Sequence, residues 1–517
     1  MPHTGICPDI GEHPLNANRF RWRPFLTGPR QLTLIPPHNP VRIAGDPPFS
    51  SPSSPVPAMA DEASAKKASR KEGKVWPDPS AGGGPMELSA LPADRLASAD
   101  AYRGFVMFLM MAEVLRLESI AAKLPDSATW KFLAFHQSHV EWVGCSLHDL
   151  IQPSFSFLVG LALPFSIASR RRRGHSVWRM AFHALWRSIV LVLLGVWLRS
   201  VYSSQTNWTF EDTLSQIGLG YLALFLLGLT PRNVQIAAFV LLLVGYWGAF
   251  AWHPLPGEDF DYERVFVTPD WAAAHNQTGF AAHWNKNSNL AWKFDTWFLN
   301  LFRRESEWVA NKGGYSTLSF IPTLATMVLG LLAGGVAREP REGWRKLLIF
   351  VVAGLGGLAL GWAANHFGIC PNVKRIWTPS WVLFSGGWCL LILALFYLVM
   401  DLAKLRAWAF PLTVIGMNSI AAYCLAHGFD GYLSRNLTTH LGGKWDAHVA
   451  TRVCERFQPG GDVAADAVEG AAPAAGALPT AAELGTIYAP LVSGSVLLLL
   501  LWLILWWMYR RQVFVRV

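Results

Sequence analysis

Residues 136–160 read HQSHVEWVGCSLHDLIQPSFSFLVG, polar and aromatic at first and apolar by the end. Three histidines (His136, His139, His148) and two acids (Glu141, Asp149) crowd the place where the apolar run begins. Placing an ionisable group at membrane depth costs roughly 2.5–3.5 kcal/mol on insertion scales, so a cluster at the mouth of a span calls for a cause. Two causes fit: a catalytic mouth, or a helix end that is polar because interfaces are.

Working outward, the rest of the chain supports a membrane setting. Of 517 residues, 52% are hydrophobic and only 15% are charged, with 25 Trp and 30 Phe. Soluble domains carry about 25% charged residues, so this deficit points to a polytopic membrane protein. The net charge of +9 is no nucleic-acid signal, because the basic residues flank apolar runs as the positive-inside rule expects. Six cysteines show neither CxxC nor zinc spacing, so no metal is expected.

The first 96 residues are rich in Pro, Ser, Ala and charge and lack apolar periodicity, which predicts a disordered cytoplasmic tail. No apolar signal-peptide core is present. Met59 and Met86 are alternative starts, which would make the tail a misassigned beginning. Residues 97–517 form the transmembrane domain. Apolar runs near 102–118, 150–169, 182–202, 213–230, 234–252, 316–337, 346–364, 379–400, 408–427 and 488–509 predict an all-α bundle of about ten spans. Glu113 and Arg116 interrupt the first.

Arg170–Arg173 and Arg179 follow the second run, Arg232 the fourth, Arg338, Arg341, Arg345 and Lys346 the sixth, Lys404 and Arg406 the eighth, and Arg510 and Arg511 the last. All these loops lie on one face, which the bias assigns to the cytoplasm, together with both termini. Loops 253–315 and 428–487 are then extracytoplasmic, as is the His136–Asp149 cluster. The second loop includes an Ala/Gly/Pro-rich piece expected to be flexible. Lys374 and Arg375 break the bias. They either snorkel or hold an acidic partner or substrate.

A histidine can deprotonate an amine or hydroxyl as it attacks an acyl carbonyl, and a carboxylate can fix its tautomer. His139 and Asp149 supply the types, although ten residues of sequence do not bring them together by themselves. His148, adjacent to Asp149, is expected to point elsewhere on the helix. Asn418, Gln216 and Arg187 each need a partner in lipid, and for Asn or Gln an interhelical hydrogen bond is a common outcome. Trp271, Trp284, Trp292, Trp297 and Trp308, with HWNKNSN at 283–289, suit a sugar or an interfacial aromatic belt.

SADAYRGFVMFLMM, then HVEWVGCSLHDLIQPSFSFLVG, with His139, Trp142, Gly144, Asp149, Pro153, Phe155, Phe157 and Gly160 as fixed points, resemble the heparan-α-glucosaminide N-acetyltransferase family. Trp186-Arg187-Ser188, Leu214-Ser215-Gln216, GGYSTLSFIPTLATMVLGLLAG, Asn372-Val373-Lys374 with Trp377, and Gly416–Ile420 with His427 extend the resemblance from about Leu96 to Val517. It implies a multi-pass protein of the bacterial inner membrane that moves an acetyl group from cytosolic acetyl-CoA to an amino sugar or other glycan acceptor outside. His139 falls on the family's active-site histidine. Asp149 and Asn418 are then expected in catalysis, and His427, Lys374, Glu113 and Gln216 at the acceptor. One departure stands out: where the animal enzyme carries an important Asn in the first span, this chain has Val114 with Glu113 beside it. Arg187 and Arg179 are candidate contacts for CoA phosphates, although topogenic charge explains such arginines equally. Expected partners are the lipid bilayer, acetyl-CoA, a glycan acceptor and, as an oligomeric option, a homodimer; nucleic acid is not among them. The alternative reading is a transporter or glycolipid carrier without acyl chemistry.

Overall fold

A computed structural model describes residues 96–457 and 479–515. The expectations for the N-terminal tail, and for most of the Ala/Gly/Pro-rich piece near 461–485, fall outside these residues.

The first apolar run forms α1 (Ala97–Met111), which tightens into a 3-10 turn over Ala112–Leu115. Arg116 then takes a left-handed conformation, with φ 51°. Two short helices follow, α2 (Leu117–Lys123) and α3 (Ala128–Gln137). After the opening stretch come α4 (Ile151–Arg172), α5 (Val177–Ser200), α6 (Thr213–Leu227) and α7 (Arg232–Trp252). The 253–315 loop carries α8 (Pro269–His275) and α9 (Leu290–Phe298). The second half holds α10 (Phe320–Arg338), α11 (Gly343–His366), α12 (Pro379–Phe396), α13 (Phe410–Met417) and α14 (Ser419–Gly428). It closes with α15 (Asp430–Leu441), α16 (Trp445–Phe457) and α17 (Ala481–Arg510). The only β pairing among the described residues is an isolated bridge between Val143 and Val373.

Each predicted apolar run is helical over most of its length, although 102–118 breaks at Arg116 and 408–427 bends at Asn418. Among the described residues, seven helices are long and apolar enough to cross a bilayer, and an eighth span exists if α13 and α14 count as one despite a 70° bend at Asn418. α1 and α6 have fifteen residues each, about 22 Å at 1.5 Å per residue and short of the hydrocarbon thickness. The sequence count of about ten therefore resolves into seven full spans, one broken span and two short helices. The protein is a multi-pass helical membrane protein. Part of the expected 428–487 loop is also helical: α15 and α16 occupy it, and α17 begins at Ala481.

One crossing sets the geometry that carries the opening stretch. A Cβ on Gly160 would lie 1.8 Å from the Met327 carbonyl oxygen, and one on Gly330 would lie 1.9 Å from that of Phe157. Only glycine allows α4 and α10 to approach this closely, which is how helices without a hydrophobic drive between them gain contact. Phe157, Leu158 and Leu161 of α4 and Val336 of α10 pack into a core shared with α1, α12 and α17. A second core joins α4 and α10 to α5 and α6.

Candidate active site

The opening stretch does not run straight into its helix. Residues His148–Leu150 form a 3-10 turn ahead of α4, which places Asp149 at the mouth of the bundle. The loop before it folds back over the carboxylate. Oδ2 of Asp149 accepts from the backbone N–H of Val140 at 3.2 Å and of Ser146 at 3.1 Å, and from the Ser146 hydroxyl at 3.0 Å. His136 serves this loop, its Nδ1 accepting from the Leu147 N–H at 3.1 Å. The other carboxylate oxygen, Oδ1, lies 2.8 Å from Nδ1 of His139. The contact that sequence separation left open is therefore made.

Lys374 completes the cluster. Its loop between α11 and α12 is fixed by Thr378, whose hydroxyl accepts from the Val373 N–H at 3.1 Å and donates to the Pro371 carbonyl at 2.8 Å. The ammonium lies 3.2 Å from Asp149 Oδ1, 3.0 Å from Nδ1 of His139 and 3.4 Å from its Nε2. Of the two outliers from the charge bias, Lys374 thus holds an internal acid. Arg375 donates to the carbonyls of Gly313 and Val140. Asp149 and Lys374 are buried, whereas 37% of the His139 side chain is exposed. Removing two charges from water costs several kcal/mol, repaid only if hydrogen bonds satisfy them. Here the backbone and Ser146 supply those bonds.

With Nδ1–H donating to Asp149, Nε2 is the ring nitrogen left to accept a proton, the arrangement that orients a general base. Partial burial and the Lys374 ammonium pull the His139 pKa below the usual histidine value, against the opposing pull of Asp149. The neutral ring is thereby favoured. Burial also lowers the Lys374 pKa, opposed by Asp149.

His139 and Lys374 line a chamber of about 170 Å³ with Glu113, His148, His427, Tyr315 and Tyr423, and Asp149 is buried behind them. Arg199, Glu211 and Asp212 also line the chamber. Asp212 caps α6 by accepting from the N–H groups of Leu214 and Ser215 at 3.0 Å each. A neighbouring cavity of about 610 Å³ shares Glu113, His139 and His148 with the chamber.

His139, Asp149, Lys374, His427 and Glu113 therefore meet at one mouth. The other expected site residues lie elsewhere. Asn418, at the bend between α13 and α14, donates to the Val513 carbonyl at 3.0 Å and accepts from the Val515 N–H at 3.1 Å. It ties down the C-terminal segment and does not line the chamber. Gln216 donates to the carbonyls of Phe210, Ser316 and Thr317, tying α6 to the turn ahead of α10. Arg187 is engaged by Tyr221, with its guanidinium 4.6 Å from the ring centre and 3.2 Å from the hydroxyl. Arg179 lines a cleft of about 570 Å³ with Arg170, Arg173, Ser166 and Ser169, at the opposite end of α4. Within the HWNKNSN run Trp284 is fully buried and Asn287 donates to the carbonyls of Val265 and Asn311, whereas Trp297 further along the same loop is exposed.

His148, expected to point away, is buried in the chamber and bonded to Glu113 at 3.0 Å. The two neighbours do take different partners, His148 meeting Glu113 and Asp149 meeting His139, yet both partners stand at the same mouth. Among the described residues, no group of three or more His, Cys, Asp or Glu side chains is arranged to hold a metal ion.

Fold and site together define a polytopic helical membrane protein with a histidine–carboxylate–ammonium cluster at the mouth of its bundle. No family model matches the chain. It is similar to heparan-alpha-glucosaminide N-acetyltransferase of Homo sapiens, 25% identical over 382 residues, covering 67% of this chain and 54% of that protein. The Mus musculus protein of the same name is 23% identical over 368 residues, covering 64% and 53%. The chain spans about half the length of the curated relatives it matches. These two matches support its membership in the heparan-alpha-glucosaminide N-acetyltransferase family.

Proposed function

We propose that the chain is an integral-membrane acetyltransferase, moving an acetyl group from acetyl-CoA to the amine or hydroxyl of an amino sugar or other glycan. The observation that carries this reading is the His139–Asp149–Lys374 cluster, with the partly exposed His139 ring at the edge of a chamber; the relatives' name supports it. Nε2 of His139 takes the acceptor's proton as the acceptor attacks the acetyl carbonyl, or carries the acetyl group between donor and acceptor. Asp149 fixes the tautomer and stabilises the imidazolium. Lys374, 3.4 Å from Nε2, is the cation suited to the developing oxyanion.

On the loop-charge bias, the chamber faces the extracytoplasmic side of a bacterial inner membrane and both termini face the cytoplasm. The arginine cleft around Arg179 then lies on the cytoplasmic side and suits CoA phosphates. α4 has 22 residues, about 33 Å of rise, so this assignment requires the donor's acetyl end to reach through the bundle.

The test is acetyl transfer by the purified full-length protein given acetyl-CoA and amino sugars, read as CoA release and acetylated product. His139→Ala abolishes both while the melting temperature is retained. Undiminished transfer by that variant overturns the assignment, and wild-type binding without CoA release favours a carrier.

A further inference from the structure

We propose that His148 and Glu113 form a second proton-transfer pair, in which His148 is the acid that protonates the departing thiolate. The proposal rests on the acetyltransferase reading. Nε2 of His148 lies 3.0 Å from Oε1 of Glu113. The His148 ring is buried, and its centre is 4.5 Å from that of His139. Both imidazoles line the same chamber.

Both rings bond a carboxylate, His139 to Asp149 and His148 to Glu113, but the His139 ring also has the Lys374 ammonium 3.0 Å from Nδ1. His139 shares its hydrogen-bonded cluster with an ammonium, which suits a ring that must be neutral to take a proton. His148 bonds the Glu113 carboxylate at 3.0 Å, which suits a ring whose role is to give a proton. Acid and base thus sit side by side in one chamber, each held by its own charged group.

The step balances without any further reactant. The acceptor nitrogen forms a bond to the acetyl carbon, and the carbon–sulfur bond of the acetyl thioester breaks. The acceptor's proton passes to Nε2 of His139, and the Nδ1 proton of His148 passes to the leaving sulfur. Proton transfer from the His139 imidazolium to neutral His148, across neighbouring rings, restores both. The net result is one amide or ester and one thiol.

The backbone supports a functional role for Glu113. It lies in the 3-10 turn that ends α1, followed at once by Arg116 in the left-handed region. Strain of this kind persists where surrounding structure holds it and gathers at active sites. The break points Glu113 at His148 instead of letting α1 continue.

Other charged groups near His148 are Asp149 and His139 on its own stretch, Lys374 from the loop before α12, and Arg116 and Glu118 beyond α1. His427, Arg199, Glu211 and Asp212 line the chamber as well. His148 acts electrostatically on His139, and Glu113 on Lys374 and His427; these effects bear on both donors alike, so the donor comparison below is what singles out the pair.

The test compares two acetyl donors on the full-length protein: acetyl-CoA, and an acetyl aryl thioester whose thiolate leaves without protonation. His148→Gln is expected to lose roughly 10²–10⁴-fold in kcat with acetyl-CoA, the usual range for one acid–base group, and no more than about 3-fold with the aryl donor. Glu113→Gln, which acts through His148 as a positioning residue, shows the same donor selectivity with about a 10-fold loss. Equal losses with both donors mean a structural role and overturn the proposal, as does undiminished turnover of acetyl-CoA. If the wild type turns over acetyl-CoA but not the aryl donor, imidazole is added to His148→Ala: restored turnover supports the proposal and its absence overturns it. If the wild type transfers acetyl from neither donor, the acetyltransferase reading itself falls.

Discussion

Replacing Lys374 with Met tests the electrostatics of the cluster directly. The substitution keeps the bulk of the side chain and removes one positive charge 3.0 Å from Nδ1 of His139. Two unit charges at that distance interact by about 1.4 kcal/mol at the dielectric of water and by about 5.5 kcal/mol at an effective value near 20. His139 keeps more than a third of its side chain exposed, which places the effect toward the screened limit, about 1 pH unit at 1.36 kcal/mol per unit. The sign follows from the neutral ring being the base. In the wild type, activity falls as pH drops through a His139 pKa held below the usual value. Without the ammonium that pKa rises, so the acid limb of kcat/KM moves to higher pH by about one unit. Lys374→Met is slowest relative to wild type between the two pKa values and recovers toward it at higher pH, short of any loss of oxyanion stabilisation. Lys374→Arg keeps the charge and leaves the limb in place. The assay is the pH dependence of CoA release at saturating and limiting acceptor. A limb that stays put, or moves to lower pH, would refute an electrostatic role for Lys374 on His139.

Further expectations concern the same wall and its scaffold. Asp149→Asn leaves the packing intact but removes the carboxylate that fixes the His139 tautomer; kcat is expected to fall by about 10³–10⁴, the scale seen for an equivalent change in a catalytic triad, with melting temperature checked in parallel. Asp295 in α9 is buried and its carboxyl is pushed up to about 7 by that burial, against the Thr317 N–H it accepts at 2.9 Å. Its folded state binds the proton more tightly than the unfolded chain, so its contribution to stability is complete below the unfolded pKa and is lost as pH rises through about 7. Melting temperatures across that window should fall for the wild type and fall less steeply for Asp295→Asn. Gly330→Ala forces a methyl against the Phe157 carbonyl and is expected to cost about 2 kcal/mol or more, read as a lower melting temperature in detergent.

The helices were legible because hydropathy is a local property, and each apolar run announces itself. What local pattern does not carry is how a run ends. Glu113 and Arg116 marked the first span as interrupted, but the 3-10 turn and left-handed residue that re-aim Glu113 arise from packing against α17. There a Cβ on Gly494 would lie 2.2 Å from the Val114 carbonyl oxygen. Lys374 was legible as an exception to the charge bias, and its partner Asp149 explains the exception. His148 takes a different partner from Asp149, as adjacent positions should, but that partner, Glu113, comes from the broken end of α1, which no local spacing reveals. Asn418 showed the same polar-in-apolar signal as a site residue, yet its partners are the backbone of Val513 and Val515. No spacing rule reveals a contact of that sequence separation.

The location of the buried ion pair says what it is for. Asp149 and Lys374 add little to stability, because a buried pair seldom exceeds the cost of removing two charges from water. Their value lies in geometry. Asp149 is delivered by α4, locked to α10 through a glycine contact that tolerates no side chain. Lys374 is delivered by a loop that Thr378 pins to its own backbone. Neither helix nor loop depends on His139 for its position, since the ring is partly exposed and each has anchors of its own. The charges are therefore set first by the scaffold, and the imidazole settles between them. A base built this way needs no reorganisation when it takes a proton, which is the condition under which fixed charges contribute most to a reaction. The same logic separates the two imidazoles of the chamber: His139 is oriented by the bundle's rigid core, and His148 by a carboxylate on the broken end of α1.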